Sequence, residues 1–296
     1  MSAILEVNNL TKTFGKFTAL DGVNLTIQPG EIYGFIGPNG AGKTTTIRVL
    51  LGILKATQGE ARMFGKDVWK DSVDIHKNIA FVPGDVNLWS NLTGGEVIDF
   101  FIRLRKNHNP SKKAELIKKF DLDPTKKCRT YSKGNRQKVA LIAAFSSDAD
   151  FYILDEPTSG LDPLMEQVFQ ECVEEVKNQG KSVLLSSHIL QEVERLCNKV
   201  SIIRNGRIIE TGTMAELRHL TRTSINVETL SPLTGLENIS SIHDIQMNPK
   251  GATFAVDTDS MNDVLTMLTK FNIQKLESSP PTLEDLFMSH YQNSRG

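Results

Sequence analysis

Gly37-Pro38-Asn39-Gly40-Ala41-Gly42-Lys43-Thr44 decides how the rest of this chain is read. The octet fits G-x-x-x-x-G-K-[ST], and a phosphate site needs those residue types. Gly37, Gly40 and Gly42 let the backbone curl so that successive N–H groups converge on phosphate oxygens. Lys43 brings a positive point charge to the β- and γ-phosphates, and the Thr44 hydroxyl suits Mg²⁺. Pro38, Asn39 and Ala41 complete the loop, and Thr45 follows it. The pattern predicts a helix over 43–51 whose positive N-terminus faces the anion. Upstream, residues 31–36 (EIYGFI) form a short apolar run after a Pro29-Gly30 turn, which predicts the strand that feeds the loop. Strand, loop and helix together predict a nucleoside triphosphate site.

Outward from that loop, strand-like runs stand at 4–7 and 23–27 on one side and at 60–64 and 79–82 on the other. From about 85 to 148 the pattern turns helical. There Thr93 predicts a cap for a segment with Val97, Ile98, Phe101, Ile102 and Leu104 on its apolar positions. Strands return at 151–154, 183–186 and 200–204, alternating with helical patterns at 163–177 and 189–197. This alternation predicts an α/β fold with a largely parallel central sheet, N-terminal strands and an inserted helical subdomain. Arg204-Asn205-Gly206-Arg207 predicts a hairpin turn. After about 220 the character shifts to a small α+β domain over 221–296, with strands at 224–227, 244–247 and 254–256. A helix is expected at 261–268, and a last amphipathic stretch begins near 281.

The charges nearly cancel, 34 Lys+Arg against 35 Asp+Glu, so no global field favours nucleic acid. From Thr221 onward there are 5 basic and 9 acidic residues, a poor grip for a polyanion. The segment from Arg103 to Lys138 is basic, with 13 Lys+Arg against 3 Asp+Glu. A solvated face is the favoured explanation over contact with an anionic membrane leaflet. No apolar run approaches the length of a membrane span, and the N-terminus lacks the pattern of a secretory signal. Cys128, Cys172 and Cys197 are widely spaced, as expected of buried thiols in a reducing cytoplasm.

A second run, 151–156 (FYILDE), ends a buried-strand pattern in two carboxylates. Asp155 suits Mg²⁺, whose shell takes one or two carboxylates plus phosphates and water. Glu156 suits the polarising of a water in line with a γ-phosphate. Directly after them comes Pro157-Thr158-Ser159-Gly160-Leu161-Asp162. Ser187-His188 closes the next strand. Tyr131-Ser132-Lys133-Gly134-Asn135-Arg136-Gln137 opens a helix within the insertion, and Phe14 stands in Thr13-Phe14-Gly15. In this order and spacing the chain resembles the ATP-binding subunits of ABC transporters over about residues 3–220.

The resemblance implies a P-loop ATPase fold, with an ABC-type ATP-binding domain over 1–220, antiparallel N-terminal strands and the helical insertion at 85–148. It implies ATP and Mg²⁺ as cofactors, Glu156 and His188 in catalysis, and Phe14 stacked on adenine. It also implies a partner: a second ATP-binding subunit, expected to be a copy of this chain, whose γ-phosphate Ser132 and the Gly134 amide would address. Where the family places a glutamine after the strand at 79–82, this chain has Gly84-Asp85. Asp85 is therefore expected either to supply a replacement metal-side oxygen or to leave that loop to coupling. The acidic C-terminal domain and its 281–287 segment (PTLEDLF) look like those of bacterial drug and antibiotic exporters. The expected function is ATP hydrolysis powering efflux through a separate integral membrane permease. The subunit would be cytoplasmic, peripheral on the membrane's inner face, with no nucleic-acid partner. The alternative is a soluble ABC ATPase acting on ribosomes or DNA.

Overall fold

In the computed structural model, which describes residues 2–104, 110–219, 222–257 and 260–279, the chain opens with two long antiparallel strands, β1 (Leu5–Phe14) and β2 (Phe17–Ile27). Both extend well beyond the apolar runs that announce them. Register shifts after Val7, Leu10 and Lys12 break the alternation, so residues 8–14 carry no clean period-2 signal. β3 (Ile32–Ile36) then leads to α1 (Lys43–Leu50), and β4 (Gln58–Met63) with β5 (Lys66–Asp67) completes a four-stranded sheet in the order β2-β1-β4-β5. Its inner face and α1 share one core. Leu5, Val7, Leu20, Val23 and Met63 pack with Ile47 and Leu50 of the helix, and with Tyr33 and Phe35 of β3. The helix after the phosphate loop thus lies between two sheets, anchored on both sides.

α2 (Ser72–His76) and β6 (Ile79–Val82) follow, then the insertion with α3 (Gly94–Arg103), α4 (Pro110–Lys119) and α5 (Lys133–Phe145). Thr93 caps α3 in a full capping box with Glu96. Val97, Ile98 and Ile102 are buried as expected, but Phe101 and Leu104 are exposed. The apolar stripe of α3 is wider than the face that the insertion covers. Among the described residues, five lysines of the basic arm are ion-paired, with Lys126 beside Asp123. Lys112 and Lys119 both hold Glu175 across elements, at 2.7 and 2.5 Å, while Lys113 holds Asp99 and Lys127 reaches Glu96.

β7 (Phe151–Asp155), α6 (Pro163–Asn178), β8 (Ser182–Ser187), α7 (Leu190–Leu196), β9 (Lys199–Arg204) and β10 (Arg207–Thr213) complete the central sheet, in the order β10-β9-β3-β8-β7-β6. The pairs β9–β3, β3–β8, β8–β7 and β7–β6 are parallel. β3, β7 and β8 are buried at every residue, as befits strands covered on both faces. Asn205 and Gly206 join β9 to β10 with φ of 48° and 77°, the turn that Asn-Gly favours. Loops at the C-terminal ends of these parallel strands carry the candidate residues.

The chain divides into two compact units, Met1–Thr211 and Gly212–Gly296. In the second, α8 (Met214–His219) precedes β11 (Thr223–Thr229), β12 (Ile242–Asn248), β13 (Gly251–Val256), α9 (Met261–Leu268) and β14 (Ile273–Ser279). The sheet order is β12-β13-β11-β14, and Ile225, Val227, Phe254 and Val256 form a core with Val264 and Leu268 of α9. β14 escaped the sequence pattern because six of its seven residues are exposed. The 281–287 segment lies outside the described residues.

Candidate active site

β3 delivers the backbone to the phosphate loop, where Gly42 adopts φ 114° as the N-cap of α1. A Cβ there would lie 2.8 Å from Leu20 Cδ2 and 3.1 Å from the Ala19 carbonyl oxygen, on a backbone that L side chains rarely adopt. Gly42 caps α1 with no side chain, so the first amides of the helix are left for an anion. Lys43 is only 5% exposed, and its ammonium donates to the Gly37 carbonyl at 2.6 Å and the Pro38 carbonyl at 3.3 Å. It also lies 3.4 Å from Glu156 Oε1.

The end of β7 meets this loop from the neighbouring part of the sheet. The Thr44 hydroxyl donates to Asp155 Oδ2 at 2.9 Å, and the Ser186 hydroxyl donates to Asp155 Oδ1 at the same distance. Burial pushes the Asp155 carboxyl up, with Glu156 in the same direction, while both hydroxyls and Lys43 favour the anion. Glu156, the residue before Pro157, holds φ 46°. For a non-glycine residue that conformation costs on the order of 1–3 kcal/mol. Its amide donates to the Ser186 carbonyl at 2.8 Å and its carbonyl accepts from Ser159 N at 3.1 Å, which hold the bend. The Glu156 carboxylate then reaches both Lys43 and the half-exposed His188, whose Nδ1 is 3.4 Å from the same Oε1. No periodicity announces this bend.

The remaining candidates fall elsewhere. Ser132 caps α5, accepting from Asn135 N at 3.2 Å. A Cβ on Gly134 would collide with the Gly160 carbonyl oxygen. Lys133 donates to Ser159 Oγ at 2.6 Å and Gln137 to the Pro157 carbonyl at 2.9 Å. The start of α5 is thus held by the 157–162 segment. Among the described residues, no hydrogen bond or ion pair joins Ser132 or Gly134 to residues 37–44. Gly84 packs against the end of β7, where an added Cβ would stand 3.2 Å from the Asp155 carbonyl oxygen. Asp85 is exposed and its carboxylate accepts from Asn87 at 3.5 Å, rather than from the Thr44–Asp155 pair. Phe14 is exposed at the tip of the β1–β2 hairpin, with the Lys12 ammonium 5.0 Å from its ring centroid. Phe17, which the sequence reading passed over, stands directly across the hairpin from Phe14 and is also exposed. Two aromatics flanking a Gly-containing turn were the signal for it.

Residues 20–159 match the family described as ABC transporter, and residues 212–291 match the C-terminal domain of the DrrA1-3-like ATP-binding proteins. Over 96% of this chain and 97% of the relative, 31% of residues are identical to the ABC transporter ATP-binding protein YhaQ of Bacillus subtilis. The chain belongs to the ABC transporter ATP-binding proteins. This ABC ATPase is also 30% identical to the bacitracin transport ATP-binding protein of Bacillus licheniformis, across 97% of both chains. A solved structure of the ATP-binding subunit of an ABC transporter superposes with a TM-score of 0.68 at 30% identity, covering 73% of this chain and 92% of that one. The protein is an ATP-binding subunit and an ATP hydrolase. Among its described residues, no helix is long and apolar enough to cross a membrane.

The arrangement has the parts for phosphoryl transfer to water. It offers amides and an ammonium at the loop, a hydroxyl–carboxylate pair, and a carboxylate beside a histidine. Among the described residues, no group of three or more His, Cys, Asp or Glu could hold a metal by itself. Thr44 and Asp155 offer a hard cation such as Mg²⁺ two oxygens, and phosphate and water oxygens would fill the rest of its shell.

Proposed function

We propose that this ABC ATPase powers export of antibiotic-like lipophilic compounds through a separate integral membrane subunit, working as a homodimer closed over two ATP molecules. The observation that supports this reading is that the start of α5 after Ser132 packs, through Lys133, Gly134 and Gln137, on the 157–162 segment and not on its own phosphate loop. A helix N-terminus with an exposed serine cap is suited to an anion. The anion it addresses is the γ-phosphate bound by the other copy.

In this scheme Lys43 and the loop amides bind the β- and γ-phosphates, and Phe14 stacks on the base. Thr44 and Asp155 would hold Mg²⁺, which would supply charge neutralisation at the phosphates. Glu156 accepts the proton of the attacking water, and His188 orients that water and the γ-phosphate from the phosphate-loop side. The exposed Asp85 carboxylate accepts from Asn87 and makes no hydrogen bond to the Thr44–Asp155 pair, so in this reading the 84–85 loop serves coupling to the membrane subunit; Asp85→Ala should leave the Mg²⁺ dependence of hydrolysis unchanged. A shifted Mg²⁺ titration would return Asp85 to the metal.

Support for a membrane partner comes from an exposed aromatic cluster just beyond that loop. Trp89, Phe100 and Phe101 have ring centroids 5.3 to 6.1 Å apart, and Leu104 is exposed beside them in sequence. Three clustered, exposed aromatic rings signal a contact surface. Support for the exported class comes from the bacitracin-transport relative and the DrrA1-3-like C-terminal domain. The test is recovery of the tagged chain from detergent-solubilised membranes. An integral membrane protein should co-purify, and Phe100→Asp should release it while ATP binding persists. Recovery with ribosomes instead would overturn the exporter assignment.

A further inference from the structure

Beneath the His188 turn lies a buried acid that the scheme above does not use. Glu192, on the first turn of α7, is 5% exposed. Its Oε2 accepts the Ser187 hydroxyl at 2.7 Å, and the same hydroxyl accepts the Ile189 amide at 3.0 Å. Ser187 and Ile189 are the two chain neighbours of His188, so this relay clamps the backbone on both sides of the imidazole. Glu192 Oε1 is buried without a hydrogen-bond partner. The buried Thr158 hydroxyl stands near the carboxyl and favours its anion, without closing a hydrogen bond on Oε1. Thr158 belongs to the 157–162 segment on which Lys133, Gly134 and Gln137 of α5 pack, so Glu192 lies between that segment and the His188 turn.

A buried carboxyl with one oxygen unpartnered is costly, and a stabilising role elsewhere in α7 would not require it. We propose that Glu192 is a positioning residue for hydrolysis, which holds the Ser187–Ile189 turn so that His188 faces Glu156. Burial pushes the Glu192 carboxyl up to about 7, with Glu166 adding to the rise against the hydrogen bond from Ser187. A proton on Oε1 would turn that oxygen into a donor toward Thr158 while Oε2 kept the Ser187 bond. The positioning role is therefore compatible with both protonation states, and a neutral amide should reproduce it.

The inference rests on the proposed action of His188, and the experiment separates the two. Steady-state hydrolysis by the purified full chain is measured for His188→Ala, Glu192→Ala, Glu192→Gln and Ser187→Ala. Displacing a positioned group without touching the phosphate loop should lower kcat by about tenfold or more in Glu192→Ala and Ser187→Ala. KM for MgATP should stay within about twofold, because the ground-state contacts are intact. Glu192→Gln should keep most of the wild-type kcat, since its side-chain carbonyl accepts the same Ser187 bond. The double variant Ser187→Ala/Glu192→Ala should be no slower than either single one. If His188→Ala lowers kcat but both Glu192 variants and Ser187→Ala leave it unchanged, Glu192 has no positioning role. If Glu192→Gln is as slow as Glu192→Ala, or the Ser187 and Glu192 losses multiply, the relay is wrong. An unchanged kcat in His188→Ala would overturn the role of His188 itself. Should Glu192→Ala fail to fold, the Gln and Ser187 variants still decide the matter.

Discussion

Glu156 stands with Lys43 and His188 each 3.4 Å from its Oε1, at the end of a buried strand and on a left-handed backbone. Glu156→Gln keeps the shape and removes the proton acceptor. Nucleotide binding should persist and turnover should fall by about 10²–10⁴-fold, the usual span for a general base. Phosphate release measured beside equilibrium ATP binding checks this. Turnover near wild type would remove Glu156 from that role. Glu192 gives a prediction of the opposite kind, in stability. Its folded-state value near 7 lies above the ordinary 4.5, because of burial. Its titratable neighbours are Glu166 on α6, which reinforces the rise, and Cys197 after α7, itself pushed well up by burial. The folded chain holds this proton more tightly than the unfolded one. The contribution is full below the ordinary glutamate value and is lost as pH climbs through 7. Glu192→Gln should therefore gain stability over wild type at pH 8, by up to on the order of 3 kcal/mol, and lose that advantage near pH 5. Urea unfolding at the two pH values is the measurement.

At the scale of elements, the helices of the insertion show what local signals reach. Thr93 and Glu96 form the capping box that their spacing announces, and Thr93→Ala should cost about 1 kcal/mol in denaturant unfolding while leaving ATP affinity unchanged. The same stretch also misleads. Phe101 and Leu104 fall on apolar positions of the helical period, yet both are exposed, because the period records which side chains share a face and not what covers it. β14 failed for the converse reason. Its exposed, polar residues carry no alternation, and it becomes a strand by pairing with β11 from Ser224 to Thr229. The basic arm is a third case. Lys112 and Lys119 lie seven positions apart in sequence and converge on Glu175, which comes from a helix more than fifty residues downstream.

For the whole molecule, one chain holds one phosphate loop and one Ser132–Gly134 loop, and no hydrogen bond joins the two among the described residues. In the proposed closed dimer, Ser132 and Gly134 would add charge-assisted hydrogen bonds to two γ-phosphates, typically about 1.5–3 kcal/mol each. ADP lacks those oxygens. Glu156→Gln protein should run as a dimer with ATP and as a monomer with ADP in light scattering, and Ser132→Arg should abolish the ATP dimer. Equal mass in both nucleotides would refute the sandwich.

By itself, the sequence determined the phosphate loop, the carboxylate pair, the strand–helix alternation and the family. Each of these depends on residue types at short, fixed spacing, where local chemistry leaves few choices. Tertiary structure decided the rest. Thr44 finds Asp155 across 111 positions, His188 and Lys43 find the same oxygen of Glu156, and Glu192 reaches beneath the turn that carries His188. These meetings are set by the order β3-β8-β7 in the sheet, which brings the C-terminal ends of strands distant in sequence to one edge. The bend at Glu156 belongs with them. A left-handed glutamate is unfavourable locally, and it persists because Ser186 and Ser159, held by neighbouring backbone, leave it no other place.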